Sequence, residues 1–117
     1  IKVLGKLVKT SKLALITNGL SDVQHKRIEK HHLKEYFKHI FISDEMGVSK
    51  PATAFFEIVH QTIKMPPKNE VLVIGDNPIS DIQGASSFGY DSLYYNYENN
   101  DSQHIEATYK INSWHNF

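Results

Sequence analysis

Two short uninterrupted apolar runs, Leu13–Thr17 (LALIT) and Val71–Gly75 (VLVIG), do most to limit what this chain can fold into. A strand with one buried face alternates apolar and polar residues. A strand that is apolar throughout is covered on both faces, which suits the central positions of a parallel sheet. Three further runs, His39–Ser43, Ser92–Tyr95 and Thr108–Ile111, have strand character, and helical patterns separate the first four. This βαβ alternation predicts an α/β fold with a parallel sheet and crossover helices.

The helices have local signals of their own. Ser21-Asp22-Val23-Gln24 has the form of a capping box and predicts a helix continuing to about Tyr36. Pro51 suits a first helical position, and Phe55, Ile58, Val59 and Ile63 form an apolar stripe that should pack on the sheet before Pro66-Pro67 ends the helix. A third helix is expected from about Ser80 through Ile82 and Ala85, closed by Gly89 in a left-handed conformation. Leu4, Leu7 and Val8 mark the end of a helix already under way at the first residue, and the polar stretch Tyr97–His104 is the best loop candidate.

Length and composition narrow the class further. A chain of 117 residues with 40% hydrophobic and 22% charged residues fits one compact soluble domain. Thirteen basic and thirteen acidic side chains cancel, so no broad positive field favours a nucleic-acid polymer or an anionic membrane. No apolar run approaches membrane-spanning length. Cysteine is absent, which excludes disulfides, thiolate metal sites and thiol nucleophiles and is compatible with a cytoplasmic location.

In open parallel sheets ligands gather beyond the carboxyl ends of the strands, and three of these ends carry suggestive chemistry. Thr17-Asn18-Gly19 offers a hydroxyl, a carboxamide and a glycine that permits close backbone approach, followed by a helix N-terminus. Taken alone, the tripeptide also reads as a simple turn. In Gly47-Val48-Ser49-Lys50-Pro51 the proline holds Lys50 in an extended entrance to the next helix, from which its ammonium could reach an anion; lone lysines are otherwise surface residues. Gly75-Asp76-Asn77-Pro78-Ile79-Ser80-Asp81 sets two carboxylates on a tight loop after the most apolar strand. Magnesium takes hard oxygen ligands and keeps several waters, so one or two carboxylates suffice. The plainer reading is a turn residue at Asp76 and a helix-dipole partner at Asp81.

Together LALITNG, GVSKPATAFFEIV and VLVIGDNPISDIQGA resemble, in order and spacing, the haloacid dehalogenase-like hydrolases over roughly Lys12 to Asn96. The resemblance implies a Rossmann-like three-layer α/β/α core and phosphoryl transfer from a small-molecule phosphate monoester. Thr17, Asn18 and Gly19 would bind phosphate, Lys50 would bridge the phosphoryl group to a nucleophilic carboxylate, and Asp76 would bind Mg2+, with Asp81 supporting the metal or Lys50. The Gly75-Asp76 pair points to the phosphatase branch and away from dehalogenases. GVSKP, IGDNPISDIQGA and FGYDSLYYN resemble pyrimidine 5'-nucleotidases in particular.

The family's nucleophile stands in an Asp-x-Asp motif on a first central strand, and no carboxylate precedes Thr17 here. The expectation is therefore a core lacking that central strand, which a missing N-terminal segment of the same protein or a second chain would supply. Residues 1–9 are expected as the end of a preceding helix, a candidate remnant of the cap, and residues 10–117 as the C-terminal part of the core. On this reading the isolated chain is inactive.

Other signals weigh less. His25, Glu29 and His32 could line a helix as metal ligands but fit a solvated face better. Tyr94, Tyr95 and Tyr97 suit strand packing more than base stacking. Trp114, with His115 and Phe117, is expected to pack the C-terminus. Two rivals stand beside the phosphatase: a noncatalytic phosphate-binding module, and a receiver-like signalling domain with Asp76 as phosphoacceptor, which would need an early acidic pair that is not seen.

Overall fold

A computed structural model describes residues 2–97 and 105–114. The chain divides into two compact units, Ile1–Ser49 and Lys50–Phe117. Every strand pairing is parallel, as the alternation predicts, and the strands form two hydrogen-bonded sheets. No described helix is long and apolar enough to cross a membrane.

The first unit contains α1 (Lys2–Leu7), β1 (Ala14–Thr17), α2 (Ser21–Lys30), β2 (His39–Ile42) and a one-turn helix α3 (Ser43–Met46). β1 and β2 pair in register from Ala14↔His39 to Thr17↔Ile42, and Ile28, Phe41 and Ile42 are the unit's buried apolar residues. The expected helix to Tyr36 is shorter. It stops at Lys30 because His32 turns left-handed (φ 53°), while Leu33 N donates to Ile28 O and His32 N to Glu29 O. That pair of bonds is a Schellman end, built here without the usual glycine. Ser43 begins α3 instead of ending β2.

The second unit contains α4 (Thr53–Thr62), β3 (Leu72–Gly75), a wide π-helical turn (Pro78–Gln83) running into α5 (Gly84–Phe88), β4 (Asp91–Tyr95) and β5 (Tyr109–Ile111). The sheet order is β3-β4-β5. β5 starts one residue later than expected because Thr108 meets Ser92 through side chains: Ser92 N donates to Thr108 Oγ1 (3.0 Å) and Thr108 N to Ser92 Oγ (3.3 Å). Pro51 is not the first helical residue, since α4 starts at Thr53 behind an extended Ala52. The buried face of α4 is Phe55, Phe56, Val59 and His60, whereas Ile58 is 39% exposed, so the helix is rotated from the expected stripe. A second glycine-free Schellman end at Lys64 (φ 69°) terminates it before Pro66. The third helix starts at Pro78, two residues earlier than expected, because Asn77 Oδ1 accepts from Ile79 N and Ser80 N, both at 3.0 Å. Gly89 is left-handed (φ 99°), as anticipated.

Among the described residues β1 and β3 are each paired on one side only. Neither is wholly enclosed: Ala14 and Leu72 are exposed, and only Val73 of the two strands is buried. The core of the second unit is aromatic. Phe88 packs edge-on against Tyr90 (4.9 Å between centroids) and stacks on Phe56 (6.0 Å), and the Lys68 ammonium sits 3.9 Å over the Phe88 ring. Buried His60 Nδ1 lies 2.7 Å from the Tyr90 hydroxyl, whose pKa burial and, to a lesser extent, Glu57 push up to about 12. Trp114 stacks on Tyr95 at 4.6 Å; the expectations for His115, Phe117 and most of the 97–104 loop fall outside the described residues.

Gly84 lets α5 approach α4 closely. A Cβ there would meet Phe56 Cε2 at 2.8 Å and Pro51 Cβ at 3.1 Å. Gly84→Ala should therefore destabilise the folded protein by about 1–3 kcal/mol through overpacking, read from urea unfolding. An unchanged midpoint would show that the helix pair can part without loss.

Candidate active site

In the first unit, β1 delivers Thr17-Asn18-Gly19 at its carboxyl end, with Thr17 half-buried and the next two residues exposed. Thr17 Oγ1 donates to Asn18 O at 3.3 Å. Gln24 Nε2, from the first turn of α2, donates to the same carbonyl at 2.8 Å. Gly19 adopts φ 140°, and a Cβ there would fall 2.5 Å from Gln24 Nε2, so glycine is required both by conformation and by space. Gly19 N donates to Ser43 Oγ at 2.9 Å.

The capping box expected at Ser21 does not form. Leu20 is the N-cap and contributes no side-chain bond, and the helix start is tied to α3 instead. Ser21 N donates to Asp44 Oδ2 (2.9 Å), Ser21 Oγ donates to Glu45 Oε2 (2.6 Å), and His25 Nε2 lies 2.7 Å from that same oxygen. The Ser21 hydroxyl first, then His25, hold the Glu45 carboxyl below its ordinary value of 4.5. His25 thus faces Glu45, while His32 lies beyond the end of α2, so the three-residue ligand line imagined along that helix does not exist.

In the second unit, Lys50 Nζ and Asp81 Oδ1 form an ion pair at 2.5 Å, with side chains only 8% and 9% exposed. Asp81 Oδ2 accepts from Asn77 N at 3.2 Å, so both carboxylate oxygens are engaged. Gly75 makes room for this: a Cβ there would lie 2.5 Å from the Asp81 Cβ and Cγ. Of the two roles open to Asp81, metal support or Lys50 support, the contact seen is with Lys50. Asp76 is exposed on the loop between Gly75 and the Asn77 cap. No group of three or more His, Cys, Asp or Glu side chains able to hold a metal occurs among the described residues. An exposed carboxylate on a loop suits an ion that keeps most of its water.

Ser43, Asp44, Glu45, Gln24 and Asn77 were not singled out from sequence as site residues. The rule that directs attention to strand carboxyl ends leads, after the second run, to Gly47-Val48-Ser49-Lys50-Pro51; applied to the residues directly after β2 it leads to Ser43-Asp44-Glu45.

The chain matches the model of the haloacid dehalogenase-like hydrolases over residues 1–95, and it belongs to that family. It is similar to pyrimidine 5'-nucleotidase YjjG of Escherichia coli, 31% identical over 116 residues covering 98% of this chain and 52% of that protein. Pyrimidine 5'-nucleotidase PynA of Streptococcus pneumoniae is 35% identical over 100 residues, covering 84% of this chain and 42% of that one. Among solved structures, the HAD-hydrolase YfnB of Bacillus subtilis bound to magnesium aligns with a TM-score of 0.90 at 31% identity, covering 95% of this chain and 49% of that one. The chain spans about half the length of these relatives.

Removing one partner of a buried pair strands the other's charge. Asp81→Asn should destabilise the protein by roughly 3–5 kcal/mol, and Lys50→Met on top of it should recover part of that loss. Strictly additive urea-unfolding effects would mean the two charges do not depend on each other. For Glu45 the folded carboxyl is the stronger acid, so its contribution to stability is present above pH 4.5 and is lost as pH falls through its lower folded value. Glu45→Gln should flatten the fall of the unfolding midpoint below pH 4.5. Parallel wild-type and variant profiles would exclude this link.

Proposed function

We propose that this chain is part of a Mg2+-dependent phosphatase of small phosphate monoesters, with nucleoside monophosphates the first substrates to test. The buried Lys50–Asp81 pair beside the Asp76 loop is the observation that carries the reading. Burying a lysine ammonium is costly unless it is paired, and phosphoryl transfer uses a fixed cation of this kind. Similarity to two pyrimidine 5'-nucleotidases supports the substrate class.

In this reading Thr17 and Asn18 donate to the oxygens of the phosphoryl group. Lys50, aimed by Asp81, balances the charge shared between that group and a nucleophilic carboxylate. The nucleophile is an aspartate outside these residues: it attacks phosphorus, the ester oxygen departs and takes a proton, and water then hydrolyses the aspartyl phosphate. Asp76 would hold Mg2+ through a carboxylate oxygen, and the donor set fits, since hard oxygen ligands are at hand and the chain has no cysteine. The ion would offset negative charge on the phosphoryl oxygens. The 117-residue chain alone does not turn over substrate on this account.

Phosphate release from nucleoside monophosphates by the full-length protein tests it. Activity should vanish with a chelator and return with Mg2+, and Asp76→Asn and Lys50→Ala should each lower kcat/KM by about 100-fold or more. Turnover indifferent to both chelator and substitutions would overturn the assignment.

A further inference from the structure

Parallel in-register pairing sets Thr17 beside Ile42, so the residues that follow each strand leave the sheet at the same level. Ser43, the first residue after β2, meets Gly19, the second after β1. Its hydroxyl accepts from Gly19 N at 2.9 Å and points back to Gly19 O at 3.4 Å. Gln24 Nε2 meanwhile donates to Asn18 O at 2.8 Å.

Asn18 O and Gly19 N are the two polar ends of one peptide group. That group is therefore held at both ends by side chains from two different helices, α3 and α2. Flipping it would break both bonds. Holding it fixes ψ of Asn18 and φ of Gly19, and so sets the direction in which the chain presents Asn18 after Thr17. The same bond commits the Gly19 N–H to Ser43.

We propose that Ser43 and Gln24 are positioning residues that lock the Asn18–Gly19 peptide and thereby preset Thr17 and Asn18 for phosphate. The proposal rests on the phosphatase reading above. Ser43 touches no substrate and acts only through Gly19.

The experiment uses the full-length protein and measures three quantities: kcat and KM for a nucleoside monophosphate, and the inhibition constant of inorganic phosphate. Ser43→Ala should raise KM and the phosphate inhibition constant about fivefold to tenfold, the scale of one lost hydrogen bond, with the thermal midpoint little changed. Ser43→Thr, which keeps the hydroxyl, should restore both constants. Gln24→Glu replaces the donor to Asn18 O with an acceptor and should weaken phosphate similarly, so it carries the test if Ser43→Ala does not fold. Wild-type constants in Ser43→Ala, or in Gln24→Glu where the alanine variant does not fold, would overturn the proposal, as would a Thr variant as impaired as Ala. A wild-type protein that neither hydrolyses the ester nor binds phosphate would instead remove the phosphatase reading on which the proposal stands.

Discussion

The ion pair between Lys50 and Asp81 sets the terms for the second unit. Two charges with side chains below a tenth exposed must be joined or the fold loses several kcal/mol, so everything around them is arranged to let them meet. Gly75 must lack a Cβ because the Asp81 side chain occupies that space. Asn77 must present its N–H to the second carboxylate oxygen. Its own side chain must then start the helix at Pro78 by accepting from Ile79 and Ser80. One electrostatic requirement thus dictates the end of β3, the loop and the first turn after it.

The loop after β1 is held by a different principle. No described ion pair in that unit is buried; the bonds from Gln24, Ser43, Asp44 and Glu45 are exposed, and exposed polar contacts are individually weak. Their effect comes from number and direction. Helix α3 is one turn long and contributes three consecutive side chains to the entrance of α2 and the turn before it, replacing the cap that Ser21 would have supplied within its own helix. Ser21 keeps the polar chemistry that made it look like a cap and spends it on Glu45.

This is also why some of the structure was legible in the sequence and some was not. LALIT and VLVIG announce parallel strands because their apolar character does not depend on neighbours, and Gly89 announces a helix end because its left-handed conformation is easy only for glycine. His32 and Lys64 end helices in the same geometry with side chains that do not advertise it, the conformation being held by the 6→1 and 5→2 bonds themselves. The α4 stripe is not readable locally because Ile58 and Phe56 are both apolar, and contacts with distant residues, Gly84, Phe88 and Tyr90, turn Phe56 inward. Lys50 and Asp81 were found as candidates, and the family resemblance offered Lys50 as one of two partners for Asp81, but the pair spans 31 residues and no local pattern encodes it.

The wide turn at Pro78–Gln83 explains how two acids five residues apart come to differ so completely. The Asn77 carbonyl accepts from both Asp81 N (3.1 Å) and Ile82 N (3.3 Å), stretching the first turn beyond α-helical width. The Asp81 carboxylate turns back toward Gly75 and Lys50, where it is buried, while Asp76, ahead of the cap, stays exposed. A tighter α-helical start would carry Asp81 further around the helix axis and away from the lysine. The turn therefore separates one carboxylate that neutralises a buried ammonium from another that stays exposed to solvent, and it does so with a single stretch of backbone.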